Sequence, residues 1–458
     1  MQVGLVARKR RDEREGRGLV HRTDGPLVGA FHAALPFPLT SGQRAAFDEI
    51  LADLAAPAPM HRLLQGEVGS GKTVVACSAL LVAVQGGYQG ALMAPTEVLA
   101  EQHWYTVRAL VADLTVPEPG SLLGARPLRI ELLTSRTPAA ERRRIHDALG
   151  VAVIDEQHRF GVEQRALLRS GAGTGGTTPD VLVMTATPIP RTAAMLIYGD
   201  LDRSELRELP RGRAPIATEV VGADPDARRA VYERVRAEVA AGRQAYVVCP
   251  LVEGSAKLEA KAATEEHERL AAGALAGLRI GLLHGQMAGV DKESTMAAFR
   301  AGALDVLVAT SVIEVGVDVP NATVMVVEDA DRFGLLQLHQ LRGRIGRGAH
   351  ASVCFLLADP RTPDGVARME AMRTTSDGFA LAERDLEIRG AGEVFGERQS
   401  GWTDLRLGRL PRDEPVVVEA RAVAEALLDA DPDLRDHAVL RAEVEDLLGD
   451  AVEFLFKA

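Results

Sequence analysis

From residue 39 onward, short apolar runs alternate with longer stretches of helical periodicity. Strand-like runs at 62–65, 90–94, 128–133, 151–154 and 181–184 are separated by helix-like segments at 73–83, 97–110 and 138–149. Apolar runs this short, set between helices, predict a parallel sheet covered on both faces. After the turn-rich stretch 210–215 the alternation begins again. Helices are expected at 227–241, 259–274 and 292–301, and strands at 245–248, 279–283, 306–309, 323–327 and 352–357. Residues 361–458 hold few strand-like runs, and their periodicity over 416–448 is helical, broken at Asp431-Pro432. The expected fold class is therefore α/β: two tandem parallel-sheet lobes followed by a mostly helical C-terminal region. The expected divisions are 1–36, a linker or remnant helix with charge clusters and little periodicity; 37–205, the first lobe; 206–360, the second; and 361–458, helical.

Composition changes this picture little. With 458 residues, 47% of them apolar and 26% charged, the chain is ordinary globular material. No apolar run approaches the ~18 residues of a membrane span. Residues 1–22 are basic and polar with no apolar run after them, unlike a secretory leader. Cys77, Cys249 and Cys354 lie far apart in apolar stretches and read as buried small hydrophobes in a reducing compartment. These features lead us to expect a cytoplasmic protein without a membrane partner.

Net charge is −11, which at first argues against a polyanionic ligand. The distribution removes the objection: residues 411–458 carry −8 of it, so the rest is nearly neutral and has room for local basic grooves. Segment 1–22 is +4. Because Arg outnumbers Lys 47 to 6 throughout, a single arginine says little about nucleic acid.

Three runs carry chemistry. Gly66-Glu-Val-Gly69-Ser70-Gly71-Lys72-Thr73 matches the phosphate loop G-x-x-x-x-G-K-[ST], with an apolar strand before it and a helix after it. Its glycines let backbone N–H groups turn toward phosphate, and the helix N-terminus adds a favourable dipole. Lys72 is expected to reach the terminal phosphates of ATP and Thr73 to hold Mg2+. Further on, the apolar run 151–154 delivers Asp155-Glu156-Gln157-His158 to a strand end, where α/β sheets bind ligands. Asp155 fits the metal role, and Glu156 fits a base that orients the attacking water. His158 alone reads as structural. The third run, Gln340-Leu-Arg342-Gly-Arg344-Ile-Gly-Arg347-Gly, spaces arginines as if on one helix face, suited to phosphate and to stabilising phosphoryl transfer. The small hydroxyl residues of Thr185-Ala-Thr187 follow a strand and could bond to the other lobe. Gly171-Ala-Gly-Thr-Gly-Gly176 reads as a flexible loop, and no Cys/His cluster has metal-ligand spacing.

Across residues 35–405 these runs occur in an order that resembles superfamily 2 helicases, and within them the RecG family. The resemblance is carried by Leu39-Thr40 with Gln43, by Ala94-Pro95-Thr96-Glu-Val-Leu-Ala-Glu-Gln-His103 and by Asp155-Glu-Gln-His-Arg-Phe-Gly-Val-Glu-Gln164. It continues through Thr185-Ala-Thr-Pro-Ile-Pro-Arg191, His284-Gly-Gln-Met287 and Ala309-Thr310-Ser-Val-Ile-Glu-Val-Gly-Val-Asp318. It ends in Glu383-Arg-Asp-Leu-Glu-Ile-Arg389 with Arg398-Gln399-Ser-Gly401, similar to a helical hairpin shared with transcription-repair coupling factors. The resemblance implies RecA-like lobes and an ATP-dependent DNA helicase acting on duplex and branched DNA in recombination and repair, monomeric, with no obligate protein partner. It implies that Gln43 reads adenine and that Asp318 joins the nucleotide site. It places Pro95, Thr96, Thr185, Thr187, His284 and Thr310 among DNA contacts, and Arg368, Arg389 and Gln399 as couplers of lobe closure to DNA movement.

Two departures from the family pattern stand out. No wedge domain with an OB-fold precedes Leu39, and Arg142-Arg-Arg-Ile-His-Asp-Ala-Leu-Gly150 runs directly into Val151 where the family has a further strand and loop. Loss of an interior strand would leave ladder groups unpaired and a hole in the sheet. The competing expectations are therefore a degraded fragment that binds nucleotide or DNA without turnover, and the motor of a coupling factor. Gln157, where coupling factors usually carry Glu, favours the RecG pattern.

Overall fold

The computed structural model describes residues 6, 18–117, 124–135, 137–145, 149–156, 177–187, 201–208, 216–250, 256–314, 319–348, 350–394 and 414–444. Two compact units emerge: 1–208 together with 391–458, and 209–390.

The first unit opens with helices α1 (Pro26–Ala34) and α2 (Ser41–Leu54), then β1 (His61–Gly66), α3 (Lys72–Gln85), β2 (Gln89–Met93) and α4 (Glu97–Leu110). A short antiparallel pair follows, β3 (Thr115–Pro117) and β4 (Ala125–Pro127), then α5 (Ala139–Ile145), β5 (Leu149–Asp155), β6 (Asp180–Thr185) and β7 (Asp202–Leu206). The main sheet runs β2-β5-β6-β1-β7 and every described pairing in it is parallel.

Helix α2 starts where a capping box predicts: the Thr40 hydroxyl accepts from Gln43 N at 3.2 Å and Gln43 Oε1 accepts from Thr40 N at 2.9 Å. Its Ala46, Phe47, Ile50 and Leu54 recur at helical spacing and are buried. Helix α3 is apolar nearly all round because it is covered nearly all round, by the sheet and by α1 and α2. Alternate strand residues face opposite sides: Leu64, Val153 and Leu182 join the core beneath α3, whereas Leu63, Ile154 and Val183 form a smaller cluster on the other face.

Three expectations need correction here. The linker or remnant helix expected over 1–36 does contain a helix, but in its described part it is integral to the lobe. Helix α1 buries Leu27, Val28 and Phe31 against the α3 core. Buried His21 bonds Asp180 at 2.8 Å, and Asp180 also accepts from Met60 N at 2.6 Å. Residues 128–133, expected as a strand, pair with no described strand; the local ladder is the β3–β4 pair instead. The hole expected beside β5 is absent, because β5 is hydrogen-bonded on both sides, to β2 and to β6. Among the described strands β2 is outermost and half-buried at all five positions, and α4 buries none of its residues fully.

The second unit contains β8 (Ile216–Val221), α6 (Pro225–Ala240), β9 (Gln244–Val248), α7 (Ala256–Ala272), β10 (Ile280–Leu283), α8 (Gly289–Arg300), β11 (Val306–Ala309), β12 (Ala322–Val327), α9 (Leu335–Arg342) and β13 (Ser352–Leu357). Its parallel sheet runs β10-β11-β9-β12-β13-β8. Helix α10 (Pro363–Thr374) follows, and its Met369 and Met372 join the core of this unit. Helix α11 (Gly378–Val394) spans the point where the two units divide. Helix α12 (Glu414–Ala430) ends at the residue before Asp431-Pro432, and 438–444 is helical again. The chain is thus two parallel-sheet lobes with a helical C-terminal region. Cys77, Cys249 and Cys354 are all free and buried, and burial pushes the thiols of Cys77 and Cys354 up to about 12. Among the described residues no helix is long and apolar enough to cross a membrane, and no group of three or more potential ligands is placed to hold a metal.

Candidate active site

The parallel register of the first sheet brings the ends of three strands to one edge. Gln65 pairs with Thr185, and Asp155 with Met184. The phosphate loop, the acidic pair and the Thr185–Thr187 turn therefore share the carboxyl edge, where sheets of this kind bind ligands.

Two glycines shape the loop. Gly69 and Gly71 sit at φ +84° and +85°, in the left-handed region. Gly71 is the N-cap of α3, and a Cβ there would lie 2.2 Å from Gln43 Nε2. The loop closes on Gln43, whose Nε2 donates to Ser70 O at 2.9 Å. Gln43 is 2% exposed, and its other carboxamide end is committed to the Thr40 cap. Adenine reading by Gln43 would require it to exchange these bonds. Lys72 Nζ donates to Gly66 O at 2.7 Å and Glu67 O at 2.9 Å, so the ammonium lies over the loop. Ser70 Oγ is buried without a hydrogen-bond partner, and Thr73 follows in the first turn of α3.

Asp155 ends β5 and is 8% exposed. Its Oδ2 lies 2.8 Å from His103 Nε2, contributed by α4. Glu156 has φ +52°, a conformation that costs a non-glycine residue about 1–2 kcal/mol. It is held by two ties to the third strand: its N–H donates to Met184 O at 3.0 Å, and its Oε1 accepts from Ala186 N at 3.2 Å. Thr187 N donates to Thr185 Oγ1 at 3.2 Å, closing the turn on itself. Thr96 caps α4, its hydroxyl accepting from Leu99 N at 3.3 Å, and Pro95 precedes it.

In the second unit, His284 and Thr310 follow the paired strands β10 and β11, and Thr310 N donates to Leu283 O at 3.2 Å. His284 Nδ1 and Thr310 Oγ1 are buried without a hydrogen-bond partner. The arginines are not on one helix face as expected. Helix α9 ends at Arg342, and Gly346 turns at φ +70° where a Cβ would strike Ile216. Arg344 and Arg347 therefore project from a turn; Arg347 Nε donates to Gly343 O at 3.2 Å. Both guanidinium groups pull down the Tyr246 hydroxyl, which burial nevertheless pushes up to about 12. Arg342 is 3% exposed and donates to Thr218 Oγ1, Met372 O and Thr375 O, which makes it a structural clamp. Arg368 Nη1 donates to Phe333 O at 2.9 Å, joining α10 to the segment that opens α9. Arg389 lies within α11. Asp318, Gln399, His158 and the 171–176 loop lie outside the described residues.

Comparison with known proteins gives this geometry a family. Residues 40–196 match the DEAD/DEAH box helicase family, 227–349 the helicase conserved C-terminal domain, and 375–454 the family described as ATP-dependent DNA helicase RecG, domain 3, C-terminal. The ATP-dependent DNA helicase RecG of Synechocystis is 45% identical over 99% of this chain. The chain belongs to the RecG family of superfamily 2 helicases. RecG of Mycobacterium tuberculosis H37Rv is 46% identical over the whole chain, and that of Bacillus subtilis 168 is 43% identical over 97% of it. The chain spans 56% of the Synechocystis protein and 66% of the M. tuberculosis one. The latter alignment extends over 496 positions, more than the 458 residues here, so that RecG has positions with no counterpart in this chain. A RecG solved bound to a three-way DNA junction superposes with a TM-score of 0.72 at 36% identity, covering 91% of this chain and 55% of that one. The DNA-bound helicase MrfA, at 16% identity and a TM-score of 0.55, shares the fold.

Proposed function

We propose that this chain is the motor of an ATP-dependent DNA translocase acting on branched DNA. What supports this most is the common sheet edge shared by the 66–73 loop, Asp155 and Glu156 in a chain of this family. RecG in the solved relative is bound to a three-way junction, which makes branched duplex DNA the proposed substrate.

The loop fits a nucleotide on its own evidence: Gly69 and Gly71 turn the backbone in the left-handed region, a Cβ at Gly71 would strike Gln43, and a buried Ser70 hydroxyl faces no protein partner. Lys72 would exchange the carbonyls of Gly66 and Glu67 for terminal phosphate oxygens, a stronger charge-assisted contact. Thr73 and Asp155 would hold Mg2+, which when bound neutralises charge on the transferring phosphoryl group. Glu156, fixed by Met184 and Ala186, would orient the attacking water and take its proton. We assign Arg344 and Arg347 to stabilising the transition-state charge, a role worth on the order of 10³–10⁵ in rate in related NTPases. Asp318 is proposed to join the nucleotide site. Pro95, Thr96, Thr185, Thr187, His284 and Thr310 are proposed to follow the DNA backbone. Arg368, Arg389 and Gln399 are proposed to pass lobe motion to the DNA. We take the protein to be cytoplasmic and to work as a monomer.

Phosphate release from ATP, measured with and without a three-way junction, tests the reading. DNA-stimulated release that Lys72→Ala abolishes supports it. Wild-type turnover in Lys72→Ala overturns the site assignment, and absence of release in the wild type favours a fragment that binds without turnover.

A further inference from the structure

We propose that His103 is a positioning residue for the magnesium carboxylate, holding Asp155 Oδ2 at 2.8 Å from helix α4. The inference rests on the reading of Asp155 as a metal holder. An ionised carboxylate only accepts hydrogen bonds, so the bond itself assigns the proton to Nε2 of His103. Both side chains are largely removed from water, at 13% and 12% exposure. A buried carboxylate without a donor is costly, and a carboxylate with one oxygen fixed has a defined orientation for the other.

The location of His103 gives the bond a second consequence. Helix α4 buries none of its residues fully, so apolar packing holds it weakly. Its polar ties include this bond and that of Trp104 Nε1 to Ile130 O at 3.3 Å. Thr96, which caps α4 and is a proposed DNA contact, lies two helical turns before His103 on the same face. His103 thus ties the helix that begins at a DNA contact to the carboxylate that ends β5.

The test is Mn2+ titration of the full chain in the presence of a non-hydrolysable ATP analogue, read by electron paramagnetic resonance. His103→Ala should weaken Mn2+ affinity by about 10–100-fold, as loss of a hydrogen bond to a metal-binding carboxylate does. His103→Gln, whose amide N–H can donate, should recover part of the loss. Asp155→Asn should weaken Mn2+ at least as much as His103→Ala. If Asp155→Asn loses Mn2+ affinity while His103→Ala keeps it, the positioning role is overturned and the metal site stands. If both keep it, the reading of Asp155 itself fails. Equal loss in His103→Ala and His103→Gln would also overturn the proposal, since the hydrogen bond would then not be what matters.

Discussion

Replacing Gly71 with alanine tests the loop geometry. At φ +85° an alanine pays about 1–2 kcal/mol for the left-handed conformation. Its Cβ would also sit 2.2 Å from Gln43 Nε2, a distance no real pair tolerates, so Gln43 must give up its bond to Ser70 O. Losing that buried bond adds about 1 kcal/mol. The expected cost is therefore about 2–3 kcal/mol, together with at least a tenfold loss of nucleotide affinity, as the cradle opens. Gly42→Ala is the control: it lies in the first turn of α2, with nothing within 4 Å of its Cβ. It should be neutral or gain up to about 1 kcal/mol through lower unfolded-chain entropy. Urea unfolding and titration with a fluorescent ATP analogue measure both effects. If Gly71→Ala matches Gly42→Ala in stability and retains wild-type nucleotide affinity, the reasoning is refuted.

Three further outcomes follow from the same structure. Phe31→Ala empties a fully buried site in the α1–α3 core, and should cost about 3–5 kcal/mol and lower the first unfolding transition in calorimetry by roughly 6–20 °C. Burial raises the Glu328 carboxyl even though the Tyr232 hydroxyl and Arg228 favour its charged form. Its contribution to stability is thus fully present below the ordinary glutamate value and lost as pH rises through the raised one, so the urea stability of Glu328→Gln should vary less than that of the wild type as pH rises from below the ordinary glutamate value toward neutrality; an unchanged slope would rule the group out. Affinity for a three-way junction should fall steeply between ~50 and ~200 mM salt, by about 10³-fold or more if six or more phosphates are contacted; a flat response would remove the DNA track.

Much of the fold was legible because each lobe repeats one local rule, an apolar strand followed by an amphipathic or buried helix. Strands β7 and β8 were missed for different reasons. β7 reads Asp-Arg-Ser-Glu-Leu, and its charges pair with each other along the sheet edge instead of announcing a strand. β8 reads Ile-Ala-Thr-Glu-Val-Val, whose β-branched content was a usable signal. Helix α1 lay inside a stretch read as linker or remnant helix, because nine residues beside charge clusters are too few to show periodicity; Phe31 is buried only because α3 is there to receive it. In the site, the phosphate loop and acidic pair were legible as contiguous motifs. The His103–Asp155 bond was not, since 52 residues separate its partners and only the adjacency of β2 and β5 brings them together. Arg342 looked equivalent to Arg344 and Arg347 in sequence; the turn at Gly343 and Gly346 separates a buried clamp from two half-buried cations.

Nucleotide turnover on this scaffold is proposed to move DNA. Displacement of a labelled third strand from a duplex measures that movement without requiring a fork to be split. ATP-dependent displacement that Lys72→Ala abolishes is the expected result. ATP hydrolysis at an undiminished DNA-stimulated rate with no displacement would contradict it.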